Sequence, residues 1–173
     1  MKPSSISISA SNWDRSKPAE SFKAFAQQIH GLAKEILIRD GSHAEMFFCL
    51  PLGGHGHVVL LNNNDRDRDR EAGWLRKHIA RHYVYGVIHV AEGWMRMAMS
   101  ADDPTFRRVM AGETKVSELK PDERQEVLMV SAQSRDGWTI SWSDEILRVD
   151  GKPLFGVCHE VADFSGRFGK LFG

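Results

Sequence analysis

Cysteine is scarce in this chain of 173 residues. Only Cys49 and Cys158 are present, with no Cys-x-x-Cys spacing, which excludes a zinc ribbon, a thioredoxin-type redox motif and a disulfide scaffold. Each sits inside an apolar run, so both are expected to be buried small hydrophobes. Long hydrophobic runs are missing too: no stretch approaches the roughly 20 apolar residues of a membrane span. The Ser-rich start, Met1-Lys2-Pro3-Ser4-Ser5, lacks the apolar core of a secretory signal, so the expected location is the cytoplasm, with no membrane partner. Charge of one sign is not in excess either. The 23 Lys plus Arg cancel the 23 Asp plus Glu, which argues against a strongly basic nucleic-acid binder or an acidic mimic of DNA. There is no Gly-x-Ser-x-Gly elbow, no Walker loop and no Gly-x-Gly-x-x-Gly fingerprint, so nucleotide-dependent chemistry of the usual kinds is not expected.

What is present is the composition of one ordinary domain, 42% hydrophobic and 27% charged, long enough for one real core. Residues 1–15 read as an extended arm, ordered in part, residues 16–162 as a single domain, and residues 163–173 as a Phe/Gly-rich tail. Ser16 and Pro18 mark a helix start. The stripe Phe22, Phe25, Ala26, Ile29, Leu32, Ala33, Ile36 carries the helix to Asp40-Gly41. The apolar runs 44–50 and 57–61 predict a hairpin of buried strands around Pro51-Leu52-Gly53-Gly54. A second helix ends near His82, with Ala72, Leu75, Ile79 and Tyr83 inward and Trp74, Lys77 and Arg81 outward. Strands are then expected from Tyr83 toward Met97, at 125–134, at 138–149 and at 154–158, the last three joined by Asp136-Gly137 and Asp150-Gly151 turns of type I′. The order α-β-β-α-β-β-β-β, two main helices on a largely antiparallel sheet of five to six strands, is α+β.

Several clusters carry candidate chemistry. In Gly53-Gly54-His55-Gly56-His57, residues two apart share a face of an extended chain, so His55 and His57 are candidate metal ligands with Asp65 and Asp67 as oxygen donors. This His-x-His resembles that of the JAB/MPN metalloproteases, which follows an upstream glutamate. Val58 stands where that motif has Pro, and its downstream Ser and Asp positions fall on Asp65 and Arg68, so no activity is carried across. His78 and His82, four apart on the second helix, have the spacing of a shared zinc face but lack the Glu of His-Glu-x-x-His. Alternation places Glu92 beside Ile88 and Val90, where a carboxylate must be paired or become a general acid or base. It is therefore the candidate catalytic residue, with Arg96, Arg124 and Arg148 as available partners. The charged edge Glu123-Arg124-Gln125-Glu126 reads as solvated.

Two recognition surfaces complete the list. Trp138 and Trp142 on one strand face, with Arg76, Lys77 and Arg81 on the second helix, form a candidate single-stranded nucleic-acid surface. Phe164, Phe168, Leu171 and Phe172 fall at helical spacing and form a candidate partner-binding face. The leading expectation is a non-enzymatic domain that works by protein-protein contact or self-association as a dimer, through the tail and the 100–123 loop. The alternatives are a metal-dependent hydrolase at His55 and His57 with Asp65, Asp67 or Glu92, and single-stranded nucleic-acid binding. No cofactor is expected for the leading reading; zinc belongs to the hydrolase reading.

Overall fold

The computed structural model describes residues 4–8, 13–53, 55–61, 68–98, 100, 102–162 and 171–172. The first helix, α1 (Pro18–Asp40), places Pro18 in its first turn, where a missing N–H costs nothing. Ser16 does not cap it: Asp14 accepts from the Ser16 backbone and hydroxyl in the preceding turn, at 2.9 and 2.7 Å. Gly41 closes the helix at φ 78°, its N–H donating to the Leu37 carbonyl at 2.8 Å. After it come β2 (Met46–Pro51), β3 (Gly56–Leu60), α2 (Arg68–Arg81), β4 (Val84–Met95), α3 (Pro104–Met110), β5 (Gln125–Ser134), β6 (Thr139–Val149) and β7 (Lys152–Val161). The N-terminal arm supplies β1 (Ser4–Ile8), which pairs with β3. The strands form one antiparallel sheet in the order β1-β3-β2-β4-β5-β6-β7. The fold is α+β with the expected element order, and the arm adds the seventh strand.

Strand alternation divides the core in two. On one face, Phe22, Phe25, Ala26, Ile29 and Leu37 of α1 pack on Leu50, Ile88, Val90, Leu128, Val130, Trp142 and Ile146. On the other, Ala72, Leu75 and Ile79 of α2 pack on Phe47, Cys49, Val59 and Val87. A bulge sits where β2 meets β4: Leu50 pairs with Gly86 and Pro51 with Val84, so Tyr85 has no opposite residue. Tyr85 is thereby turned into the α1 core, and its hydroxyl donates to Asp136 Oδ2 at 2.7 Å. Gly86 is required beneath α1, because a Cβ there would stand 2.3 Å from the Phe22 ring.

Local differences from the sequence expectation have local causes. Asp150 and Gly151 both take positive φ, 52° and 77°, as a type I′ turn needs, but at the other turn only Gly137 does, at 90°. Asp136 instead accepts from the Ser134 hydroxyl and Tyr85, within a longer loop closed by Ser134 N–H donating to Trp138 O at 2.9 Å. Tyr83 is not inward: it sits just past α2 at φ 49° and is 75% exposed. Trp74 is half-buried and packs against the α2-side core. Cys49 is buried as expected, but Cys158 lies exposed on the edge strand β7, and both thiols are free.

Candidate functional site

At one end of the sheet, the loop between α1 and β2 meets the end of β4 and the start of β5. Ser42, His43, Ala44, Glu45, Glu92, Gly93, Trp94 and Glu126 line a cavity of about 480 Å³ there. Two other cavities among the described residues measure about 310 and 330 Å³. Alternation explains who faces it. Glu92 and Trp94 continue the Ile88–Val90 face of β4, Glu126 continues the Leu128–Val130 face of β5, and Trp94 pairs directly with Glu126.

The two carboxylates share one guanidinium. Arg148 of β6 donates from Nη2 to Glu126 Oε1 at 2.5 Å and to Glu92 Oε1 at 3.1 Å, and from Nε to both Glu126 oxygens at 3.0 Å. Its Nη1 donates to the Gly41 carbonyl at 3.0 Å, and the His43 N–H donates to Glu92 Oε2 at 2.9 Å, so the α1–β2 loop is tied to the same group. Glu92 and Glu126 are close enough for each to shift the other. Burial raises Glu92 above the usual carboxyl range against the His43 N–H, with the Glu126 carboxyl adding to the rise and Arg148 opposing it; the Arg148 hydrogen bonds hold Glu126 below that range. The surroundings of the two carboxyls thus shift them in opposite directions. Of the three arginines expected near Glu92, Arg148 is the partner. Arg96 instead donates to Asp103 Oδ2 at 2.8 Å and to the Glu123 carbonyl at 3.0 Å. Arg124 lies over the Trp94 ring, 4.1 Å from its centroid, and Trp94 is 44% exposed at the rim.

A second carboxylate on the same sheet face is arranged differently. Asp144 is fully buried; it meets His30 Nε2 at 2.5 Å and Lys34 Nζ at 2.7 Å, both from α1, and the Cys158 thiol from β7. These partners outweigh its burial and bring its carboxyl down to about 2. Trp142 stacks on His30, ring centroids 4.8 Å apart, and donates to Glu160 Oε2 at 2.9 Å. Burial first, and then the Asp144 carboxylate, push the Cys158 thiol up to about 11, so it is a poor nucleophile.

The fold merges the two histidine pairs that the sequence presents separately. His57 follows the Val59 face of β3 toward α2, where His78 stands on the last turn and His82 just past it. Ring centroids are 5.5 Å apart for His57 and His78, 5.1 Å for His57 and His82, and 4.4 Å for His78 and His82. His55 is exposed beside them; Asp65 and Asp67 lie outside the described residues. Glu92 does not join this group. His57 is level with Cys49 and hence with Val87, whereas Glu92 is five residues further along β4 and on the opposite face.

The recognition surfaces are also distributed by the two faces. Trp142 is buried, and Trp138 packs edge-on against Phe22 with Lys23 over it, both on the α1 side. Arg76, Lys77 and Arg81 are exposed on α2, across the sheet from them. Leu171 is buried in the α2-side core of its own chain, its N–H donating to Gln133 Oε1 at 2.9 Å, and Phe172 packs beside it under Arg135. Phe164 and Phe168 lie outside the described residues.

The sequence reading of a solvated edge at 123–126 is corrected at Glu126, which is half-buried and paired with Arg148, and Asp144 was passed over, although the signal was there for both. Glu126 alternates with Leu128 and Val130, and Asp144 stands between Trp142 and Ile146, each on a core-facing row. No protein-family model, curated protein or solved structure matches the chain, so the functional reading rests on the site itself.

Proposed function

We propose that this protein works at the cleft between the α1–β2 loop and the paired ends of β4 and β5, as an acid-base site for a small polar molecule. The observation that carries the reading is the pair Glu92 and Glu126, bound to the same Arg148 nitrogen on the wall of the cavity. Glu92 holds the proton and acts as the acid. Glu126 stays ionised beside Arg148 and acts as the base or as the counter-charge to a cationic group. Trp94, exposed at the rim, is the platform on which an amine- or hydroxyl-bearing molecule stacks. Proton transfer by a positioned pair of this kind contributes about 100- to 10,000-fold to a rate.

The test is saturable binding or turnover in a panel of amine- and hydroxyl-bearing small molecules, followed by Trp94 fluorescence against a Trp94→Phe control. Binding that disappears in folded Glu92→Gln and Glu126→Gln supports the reading; binding that is indifferent to both substitutions overturns it.

A second reading, protein-protein contact, is supported by a different surface from the C-terminal tail. Strand β7 is a sheet edge, and Leu147, Val149, Leu154, Val157 and Val161 along β6 and β7 are each about half exposed, between 45% and 58%. An unpaired edge with exposed aliphatic side chains is a template for strand pairing with another chain. Light scattering on Val157→Lys checks it: self-association in the wild type that the lysine abolishes supports this contact, and a monomer in both contradicts it.

A further inference from the structure

The histidines on the α2 side of the sheet make up a second site, independent of the carboxyl cleft. Among the described residues, the other histidine–carboxylate contacts are His30 with Asp144 and His89 with Glu45. His57, His78 and His82 have no such acid among the described residues, and they meet one another instead. Crowding like-charged imidazoles together is unfavourable unless they are neutral, and a neutral imidazole offers a nitrogen lone pair. His78 Nε2 is buried and has no hydrogen-bond partner. An orphaned ring nitrogen enclosed by two more imidazoles is what a nitrogen ligand looks like before its ion arrives.

The setting favours this chemistry in part. Trp74 stacks on His78 at 4.9 Å and fixes its plane. The C-terminal carbonyls of α2 point toward the same end of the helix and favour positive charge. Arg81 and His55 add positive charge that coordinate bonds must outweigh. The rings meet at angles between 41° and 88° and their nitrogens do not all lie within 4.8 Å of one another, so an ion draws them together by turning at least one ring about its soft Cβ–Cγ torsion. Among the described residues, His30, Asp144 and Cys158 already bring three ligand atoms within 4.8 Å of one another. In that set the Lys34 ammonium already sits on Asp144 Oδ1 at 2.7 Å, and its positive charge opposes a cation there.

We propose that His57, His78 and His82 bind one divalent ion of the late first transition row, of which Zn²⁺ is the representative, with a coordination position left open to water. His57 comes from the sheet and the other two from α2, so the ion also pins the helix end to the strand.

The test uses the full chain. Zn²⁺ is titrated against a chromophoric chelator, and Co²⁺ is added separately for its visible spectrum. The expected result is one equivalent of Zn²⁺, weakened about a hundredfold or more in His57→Ala and in His78→Ala, and a Co²⁺ spectrum without sulfur charge transfer. Circular dichroism of the metal-free variants confirms that they fold, and Cys158→Ser binds like the wild type. Absence of Zn²⁺ binding at neutral pH overturns the assignment. So does binding that survives in folded His57→Ala and His78→Ala, or a sulfur charge-transfer band that Cys158→Ser removes.

Discussion

Two carboxylate groups on the α1 face of the same sheet have opposite fates. Asp144 is fully buried and surrounded by an imidazole, an ammonium and a thiol, so both of its oxygens have donors and its carboxyl falls to about 2. Glu92 and Glu126 are two carboxyls on one guanidinium, at a cavity wall, and they shift in opposite directions. Donors exceed acceptors at the first and fall short at the second. A saturated buried carboxylate cross-links the structure, in this case α1 to β6 and β7. In the proposed reading, the undersupplied pair keeps a proton available where a small molecule can reach it.

The largest effect should come from breaking the saturated group. Asp144→Ala leaves His30 and Lys34 facing a hole, and urea unfolding should show a loss of about 3 to 5 kcal/mol. Arg148→Ala leaves two carboxylates without their cation and releases the Gly41 carbonyl. Because Arg148 is one-third exposed, the expected loss is smaller, about 1 to 2 kcal/mol.

Acidity should separate the two groups by sign. The folded value of Asp144 lies below its ordinary 3.8, so its contribution is full above that value and is lost as pH falls toward about 2. Glu92 is raised, so its contribution appears as pH falls through its folded value toward the ordinary 4.5 and is lost again as pH rises. Unfolding series should therefore show Glu92→Gln destabilising near pH 5 relative to its effect near pH 8, by under about 1 kcal/mol, and Asp144→Asn losing its deficit only in strong acid.

Much of this frame is legible in the amino-acid order. The Phe22–Leu37 stripe, the Asp150-Gly151 turn and the alternation of β4 are local signals, and they place α1, the β6–β7 hairpin and the face of Glu92. The partnerships are not local. Arg148 reaches Glu92 across 56 residues, and His30 reaches Asp144 across 114, so only strand order and helix placement bring them together. Likewise the 55–57 and 78–82 histidines read as two weak pairs until β3 and α2 pack against each other.

The smallest effect concerns reactivity at the saturated group. With its thiol at about 11, exposed Cys158 should react slowly with iodoacetamide at neutral pH, and Asp144→Asn should speed it by withdrawing the carboxylate that holds the proton.

The central claim, that Glu92 and Glu126 hold one proton between them, is tested most directly by following their carboxyl carbons by NMR across a pH titration. Two separated steps are predicted, the upper above the ordinary glutamate value of 4.5 and dominated by Glu92, which moves back toward it in Glu126→Gln. Two carboxyls titrating together near 4.5, unchanged by Glu126→Gln, would contradict the account.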